Sequence, residues 1–192
     1  MHKFTIIYHS RSHSVEKLAS EIAIGIKSSD DCEVNLILCS EAQSRIDEIN
    51  NSDAIIFGSP TYFGSLSSEM KTFFDSLGDV FMNKKWRDKV ASAFTHSSAL
   101  SGDKLMTLMQ MMIFSMQNGM IWVGQDLLPG EKVTHEWTDI DHNITNHLGS
   151  WIGLMAQSDS RRGIELSQSD LLTARLFGKR IANVTKRLKN TL

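Results

Sequence analysis

Ser10-Arg11-Ser12-His13-Ser14 gathers three hydroxyls, a guanidinium and an imidazole into five consecutive positions. Ahead of a helix, such a run suits an anion. The first helical N–H groups lack intrahelical partners, the dipole presents its positive end, hydroxyls fill further positions and Arg11 adds a charged donor. Neither GxGxxG nor GxxxxGK[ST] occurs, so the run fits a single phosphate monoester better than a pyrophosphate or triphosphate. Taken alone, the same residues are ordinary helix-capping material. A second run, Gly58-Ser59-Pro60-Thr61-Tyr62-Phe63-Gly64-Ser65, sets two aromatics between glycines just past an apolar stretch. A flat heterocycle can lie there against a ring face and exposed amides. A third run, Thr95-His96-Ser97-Ser98-Ala99-Leu100-Ser101-Gly102, supplies small polar groups and free amides. Together the three describe a site for a phosphorylated flat ring.

The elements that must hold these runs follow from periodicity. Phe4 to Tyr8 is an almost wholly apolar β-rich stretch, as in a strand buried on both faces of a parallel sheet. Val15, Leu18, Ala19, Ile22, Ala23 and Ile26 then mark one face of a helix, with Glu16, Lys17, Ser20, Glu21 and Lys27 opposite. Val34 to Leu38, Ala54 to Gly58, Val90 to Phe94 and Met120 to Val123 read as four further strands. Between the third and fourth, a helix turns Leu66, Met70, Phe73, Phe74 and Leu77 toward the sheet, and a Met-rich helix spans about residues 104–117. Leu105, Leu108, Met109 and Met112 share helical spacing there, which reads as core filling rather than a soft-metal surface. A final helix opens on the capping-box-like Ser167-Gln168-Ser169-Asp170 and carries Leu171, Ala174, Phe177, Ile181, Val184 and Leu188 on one face. Alternating strands and helices with no break in composition predict one α/β domain over residues 1–192, a doubly wound five-stranded parallel sheet with helices on both faces. Ligands of such sheets bind at the carboxyl ends of the strands where the winding reverses, which is where the three runs lie.

Composition narrows the function classes. Twenty Lys+Arg against 22 Asp+Glu leave a net charge of −2, which argues against nucleic acid as partner. No apolar stretch approaches about 18 residues, so no membrane span is expected, and the short run before His9 falls short of a secretory leader. Cys32 and Cys39 form no CxxC pair and no disulfide framework, in keeping with a cytoplasmic location. Residues 124–166 hold no persistent period and read as a long loop insertion with a functional or oligomeric role. Within it His135, Glu136, Asp139, Asp141, His142 and His147 match no zinc spacing, so no metal is expected.

The chain resembles the flavodoxin-like family, and within it the WrbA-type NAD(P)H:quinone oxidoreductases. The resemblance rests on Ile6 through Glu16, Asp53 through Ser65, Met70-Lys71-Thr72-Phe73-Phe74-Asp75, Lys89 through Phe94 and Asn118-Gly119-Met120. Pro60-Thr61 with Phe63-Gly64 is its most specific element. It implies strand order 2-1-3-4-5, bound FMN and electron transfer from NAD(P)H to a quinone-like acceptor. The alternative is an FMN-binding electron carrier or interaction module without turnover. By resemblance, Ser10, Arg11, Ser12, His13, Ser14 and Val15 hold the FMN phosphate. Pro60 to Gly64 flank the isoalloxazine, with Thr61, Tyr62 and Phe63 in contact. His96, Ser97, Ser98, Ala99, Leu100 and Ser101 wrap its other edge, Asn118 approaches from a neighbouring subunit, and Phe81 lines the substrate cavity. His147 and Trp151 cover the flavin or bind substrate, or Trp151 buries at a subunit interface. A homodimer or homotetramer is implied, with Trp122, Trp137, Trp151 and Met155 as apolar material near the long loop. Two departures stand out: His13 replaces a glycine at a position that can require φ > 0, and the glycine-rich third loop is here Ser98-Ala99-Leu100-Ser101-Gly102.

Overall fold

The computed structural model describes residues 1–130 and 144–191. Strands β1 (His2–Tyr8), β2 (Cys32–Leu38), β3 (Ala54–Pro60) and β4 (Val90–Ser97) are longer than their apolar cores by two or three residues at one end. They are joined by α1 (Ser14–Lys27), the short helices α2 (Cys39–Ala42) and α3 (Ile46–Asn50), α4 (Ser68–Asp75) and α5 (Gly78–Met82). α6 (Lys104–Gln117) leads to β5 (Ile121–Trp122), and β6 (Leu154–Gln157) to α7 (Gln168–Lys189). All pairings are parallel, in the order β2-β1-β3-β4-β5.

β6 corrects the sequence reading. Leu154–Gln157, inside what reads as an insertion, pairs with Phe94–Ser97 at the carboxyl end of β4, while β5 pairs only with Val90 and Ala91 at its amino end. The fifth sheet position is thus filled by two short strands, separated in sequence by residues 123–153. Four residues, of which only Leu154 and Ala156 are buried, are too few for a period to register.

Alternation along the strands divides the core. Phe4 and Ile6 of β1 face α1 and α7, where Leu18, Ile22, Ile26, Phe177 and Ile181 are buried. Ile7 and Phe57 face the other layer with Phe73, Phe74, Trp86, Leu108 and Met111. α1 and α7 touch backbone to backbone: a Cβ on Gly25 would lie 1.8 Å from the Arg175 carbonyl oxygen, and one on Gly178 2.1 Å from that of Ile22. Gly178→Val therefore forces the two helices apart, with an expected loss of about 2–3 kcal/mol on urea denaturation. Arg175 ties the same pair to Glu21 at 2.8 Å. α7 starts on the full capping box foreseen, with the Ser167 hydroxyl accepting from Asp170 N–H and the Asp170 carboxylate accepting from Ser167 N–H.

α6 also departs from expectation. Leu105 is half exposed and Met109 and Met112 only partly buried, whereas the inward face is Lys104, Thr107, Leu108, Met111 and Ser115. Of the expected core-filling stripe only Leu108 is fully buried, and three of the five inward positions are polar and hydrogen-bonded instead: Lys104 to the loop after β4, Thr107 to Thr61, and Ser115 to the Met111 carbonyl. Both cysteines are free, and no helix among the described residues is long and apolar enough to cross a membrane.

Candidate functional site

At the carboxyl edge of the sheet, β1, β3, β4 and β6 each end in a polar turn. Ser12, Pro60 to Phe63, His96 to Ser98 and Ser158 to Arg161 line one cleft of about 490 Å³, within the roughly 300–1,000 Å³ of small-molecule sites. Of the turn after β1, Ser12 lines the cleft, while the side chains of Ser10, His13 and Ser14 are engaged within the fold. His13 takes the left-handed conformation (φ 61°) that its replacement of a glycine would require, and its ring turns back to Glu16 at 2.9 Å. The α1 amides are left without a capping side chain from His13. Ser10 Oγ accepts weakly from Glu16 N–H at 3.4 Å.

Behind this turn, Ser158 Oγ donates to Ser14 Oγ (2.8 Å) and lies 3.1 Å from His96 Nδ1, linking three strand exits. His96 is buried, and its pKa is pushed down to about 4 by that burial first and by the Lys104 charge second. It is neutral at pH 7. Since the unfolded chain binds a proton near 6.5 that the folded one refuses until about 4, stability present above pH 6.5 is lost as pH falls toward 4, on the order of 3 kcal/mol in all. Urea denaturation of the wild type and His96→Gln at pH 6.5 and 5 should show a steeper loss in the wild type.

The aromatic turn is exposed. Tyr62 and Ser65 exchange backbone hydrogen bonds at 2.9 and 3.0 Å, with Phe63 (φ 49°) and Gly64 (φ 72°) at the tip. Two successive positive φ values make a tight primed turn, for which glycine and asparagine are the ordinary residues. Phe63 occupies such a position with its ring wholly in solvent, and Tyr62 is 39% exposed. Thr61, by contrast, is buried; its hydroxyl is 2.8 Å from those of both Thr95 and Thr107, so it anchors the turn from below.

Other candidates lie elsewhere. Phe81 and Asn118 share grooves with Lys84, Arg87 and Gln117, beside the amino ends of β4 and β5, and one chain does not bring them to the cleft. His147 and Trp151 line a separate apolar groove of about 660 Å³ with Leu100, Ser101, Leu105 and Met155. The loop after β4 is the ridge between cleft and groove. His147 lies 3.4 Å from Asp170, whose pKa is raised by burial against the opposing pull of that histidine. His135, Glu136, Trp137, Asp139, Asp141 and His142 lie outside the described residues, and no metal-binding cluster occurs among the described ones.

Sequence reasoning misses Ser158, Asp159, Ser160 and Arg161. The turn is hydroxyl-rich like the one after β1, but the four-residue strand ahead of it is too short to mark it as a strand exit. Asp159 also bears on whether FMN suits the cleft. Its side chain is 4% exposed; Oδ1 accepts from Arg161 N–H at 3.1 Å and from Arg161 Nε at 3.4 Å, while Oδ2 forms an ion pair with Arg162 Nε at 3.5 Å but accepts no hydrogen bond. A buried carboxylate oxygen at a polar cleft wall calls for a donor such as a ligand hydroxyl. Phosphate-grade donors at one turn, this acceptor and an exposed aromatic turn fit a phosphate, a polyol and a flat ring.

A family model described as NADPH-dependent FMN reductase matches residues 12–134. The chain is 31% identical over 192 residues to Flavodoxin FldP of Pseudomonas aeruginosa, covering 98% of this chain and 99% of that protein. It is 30% identical over 210 residues to an NAD(P)H dehydrogenase (quinone) of Archaeoglobus fulgidus, covering 98% and 100%. Among solved structures it is similar to the flavodoxin, WrbA-like protein of Agrobacterium tumefaciens, with TM-score 0.73, 32% identity and coverage of 97% and 99%. The exposed aromatic turn, the hydroxyl-rich turn ahead of α1 and these likenesses converge: the chain belongs to the NADPH-dependent FMN reductase family, as a flavodoxin-like oxidoreductase of WrbA type that uses FMN with NAD(P)H as electron donor.

Proposed function

We propose that this protein passes electrons from NAD(P)H to a quinone-like acceptor. The observation that carries the reading is the wholly exposed Phe63 held in a left-handed turn at the mouth of the cleft. A bulky residue held in that conformation stores backbone strain of the kind that clusters at ligand sites. FMN, when bound, supplies the two-electron relay between donor and acceptor. The chain does the rest. Ser10 to Val15 would hold the phosphate with hydroxyls and helix amides, Asp159 would accept from the ribityl chain, Tyr62 and Phe63 would steady the ring, and His96 to Ser101 would border its other edge. Neutral His96 brings no competing positive charge. Arg161, 84% exposed on its side chain, pairs with Asp159 through Nε at 3.4 Å and leaves the rest of its guanidinium to the phosphates of NAD(P)H. The apolar groove walled by Leu100, Trp151 and Met155 suits a quinone ring. Asn118 and Phe81 reach a cleft only from a second copy, so we include a homodimer or homotetramer in the proposal.

Purified protein should be yellow, or become so with added FMN, and should oxidise NADPH with benzoquinone without any added reductase. Parallel double-reciprocal plots are expected if both substrates use one cavity in turn. Because FldP is named a flavodoxin, an electron carrier is the second reading. Yellow protein with no NADPH consumption would decide for it. Ser14→Ala, which severs the hydroxyl link to Ser158, should weaken FMN binding by about 1–2 kcal/mol in a fluorescence titration.

A further inference from the structure

Lys104 has no exposed surface, yet it is the first residue of α6 and points its ammonium into the back of the loop after β4. Nζ donates to the Ala99 carbonyl at 2.7 Å and to Ser97 Oγ at 3.0 Å. Among the described residues it makes no ion pair with a carboxylate. A buried cation solvated only by neutral oxygens is expensive, and its place at the positive end of a helix adds to the cost. The loop shows what the arrangement achieves. Gln157 Nε2 holds the Ser98 carbonyl at 2.9 Å, and Lys104 holds the next one. In a planar trans peptide the carbonyl of one residue and the N–H of the next point opposite ways. With both carbonyls drawn inward, the Ala99 and Leu100 N–H groups face outward, on the ridge between cleft and groove. Leu100 is accordingly 66% exposed.

We propose that Lys104 is a positioning residue for the redox chemistry: it fixes these two amide donors outward and backs them with a charge that favours the negatively charged, reduced ring over the oxidised one. This rests on the placement of FMN in the cleft. Hydride transfer from NAD(P)H delivers two electrons and one proton, so the ring gains one negative charge and NAD(P)+ leaves. Outward N–H donors backed by a fixed cation interact more strongly with that charged state than with the neutral one. Burial pushes the lysine pKa down to about 8, with Asp170 of α7 opposing, so the ammonium persists at pH 7. The other titratable groups facing this region are His96 of β4, neutral, and His147, which is engaged by Asp170.

The test compares wild type, Lys104→Gln, Lys104→Met and Lys104→Arg in affinity for oxidised FMN and in midpoint potential of the bound cofactor. Lys104→Gln keeps a donor and loses the charge. It should bind oxidised FMN within about threefold of wild type and reduced FMN about tenfold more weakly, which lowers a two-electron potential by about 30 mV. Lys104→Met should lose affinity for both forms and show the same fall in potential, and Lys104→Arg should recover it. In the wild type alone, the preference for reduced FMN should decline as pH rises past the lysine's titration, which keeps the idea open to refutation if a variant fails to fold. Equal losses for both oxidation states, with an unmoved potential and no such decline, would overturn the role of Lys104 while leaving FMN binding intact. A wild type that takes up no FMN would overturn the placement of the cofactor, and this inference with it.

Discussion

Replacing Tyr62 and Phe63 together by alanine should weaken FMN binding by about 2–4 kcal/mol, roughly 30- to 1,000-fold, while the apo protein unfolds at the same temperature as wild type. Stacking of a flat heterocycle on an aromatic side chain is worth about 1–3 kcal/mol per ring, and two rings are removed. The stability half follows from the turn. Phe63 buries nothing, Tyr62 is substantially exposed, and the turn is closed by the backbone of Tyr62 and Ser65, which alanine retains. Alanine at position 63 meets the same left-handed conformation as phenylalanine, so the strain is unchanged. Flavin fluorescence titration beside calorimetry of the apo protein separates the two quantities. A large fall in unfolding temperature with little change in affinity would make these rings structural.

Trp86→Ala should do the reverse. Trp86 has no exposed surface, packs against Phe57 and Phe114 with ring centroids 6.1 and 6.2 Å away, and donates its indole N–H to Asn50 Oδ1 at 2.9 Å. Truncating such a residue leaves a cavity costing about 3–5 kcal/mol. At roughly 2–4 °C per kcal/mol for a chain of this size, the melting temperature should fall by about 6–20 °C. Because Trp86 precedes β4 at the sheet edge opposite the cleft, saturating FMN should raise the melting of variant and wild type by similar increments.

The three turns after β1, β3 and β4 are legible because each follows five or more strand residues that are almost all apolar, so the strand exit can be located and the next polar run assigned to the binding edge. Ser158 to Arg161 follow a four-residue strand with two buried positions, too brief a signal to mark an exit. The helical pieces between Cys39 and Asn50 are short and broken, and so carry no readable stripe. α6 is the instructive failure. Counting apolar residues picks Leu105, Leu108, Met109 and Met112, of which only Leu108 is fully buried, whereas the inward face also includes Lys104 and Thr107, whose hydrogen bonds exist only once β4 and the turn carrying Thr61 are beside them, and Ser115, bonded to the Met111 carbonyl. A polar residue that will be satisfied by a distant partner looks, in one dimension, like a surface residue. Phe81 and Asn118 were reached through resemblance alone, and a single chain leaves them away from the cleft.

The two-piece fifth position has an engineering corollary. Both ends of the 123–153 segment are stapled to the same rod, β4, one near its start and one near its finish. A foreign module spliced into that segment would enter and leave between fixed posts, so the scaffold should tolerate cargo there that it would reject at any turn of the binding edge. The same posts would let a ligand-responsive insert tug on Ser158 and Asp159 through a strand only four residues long.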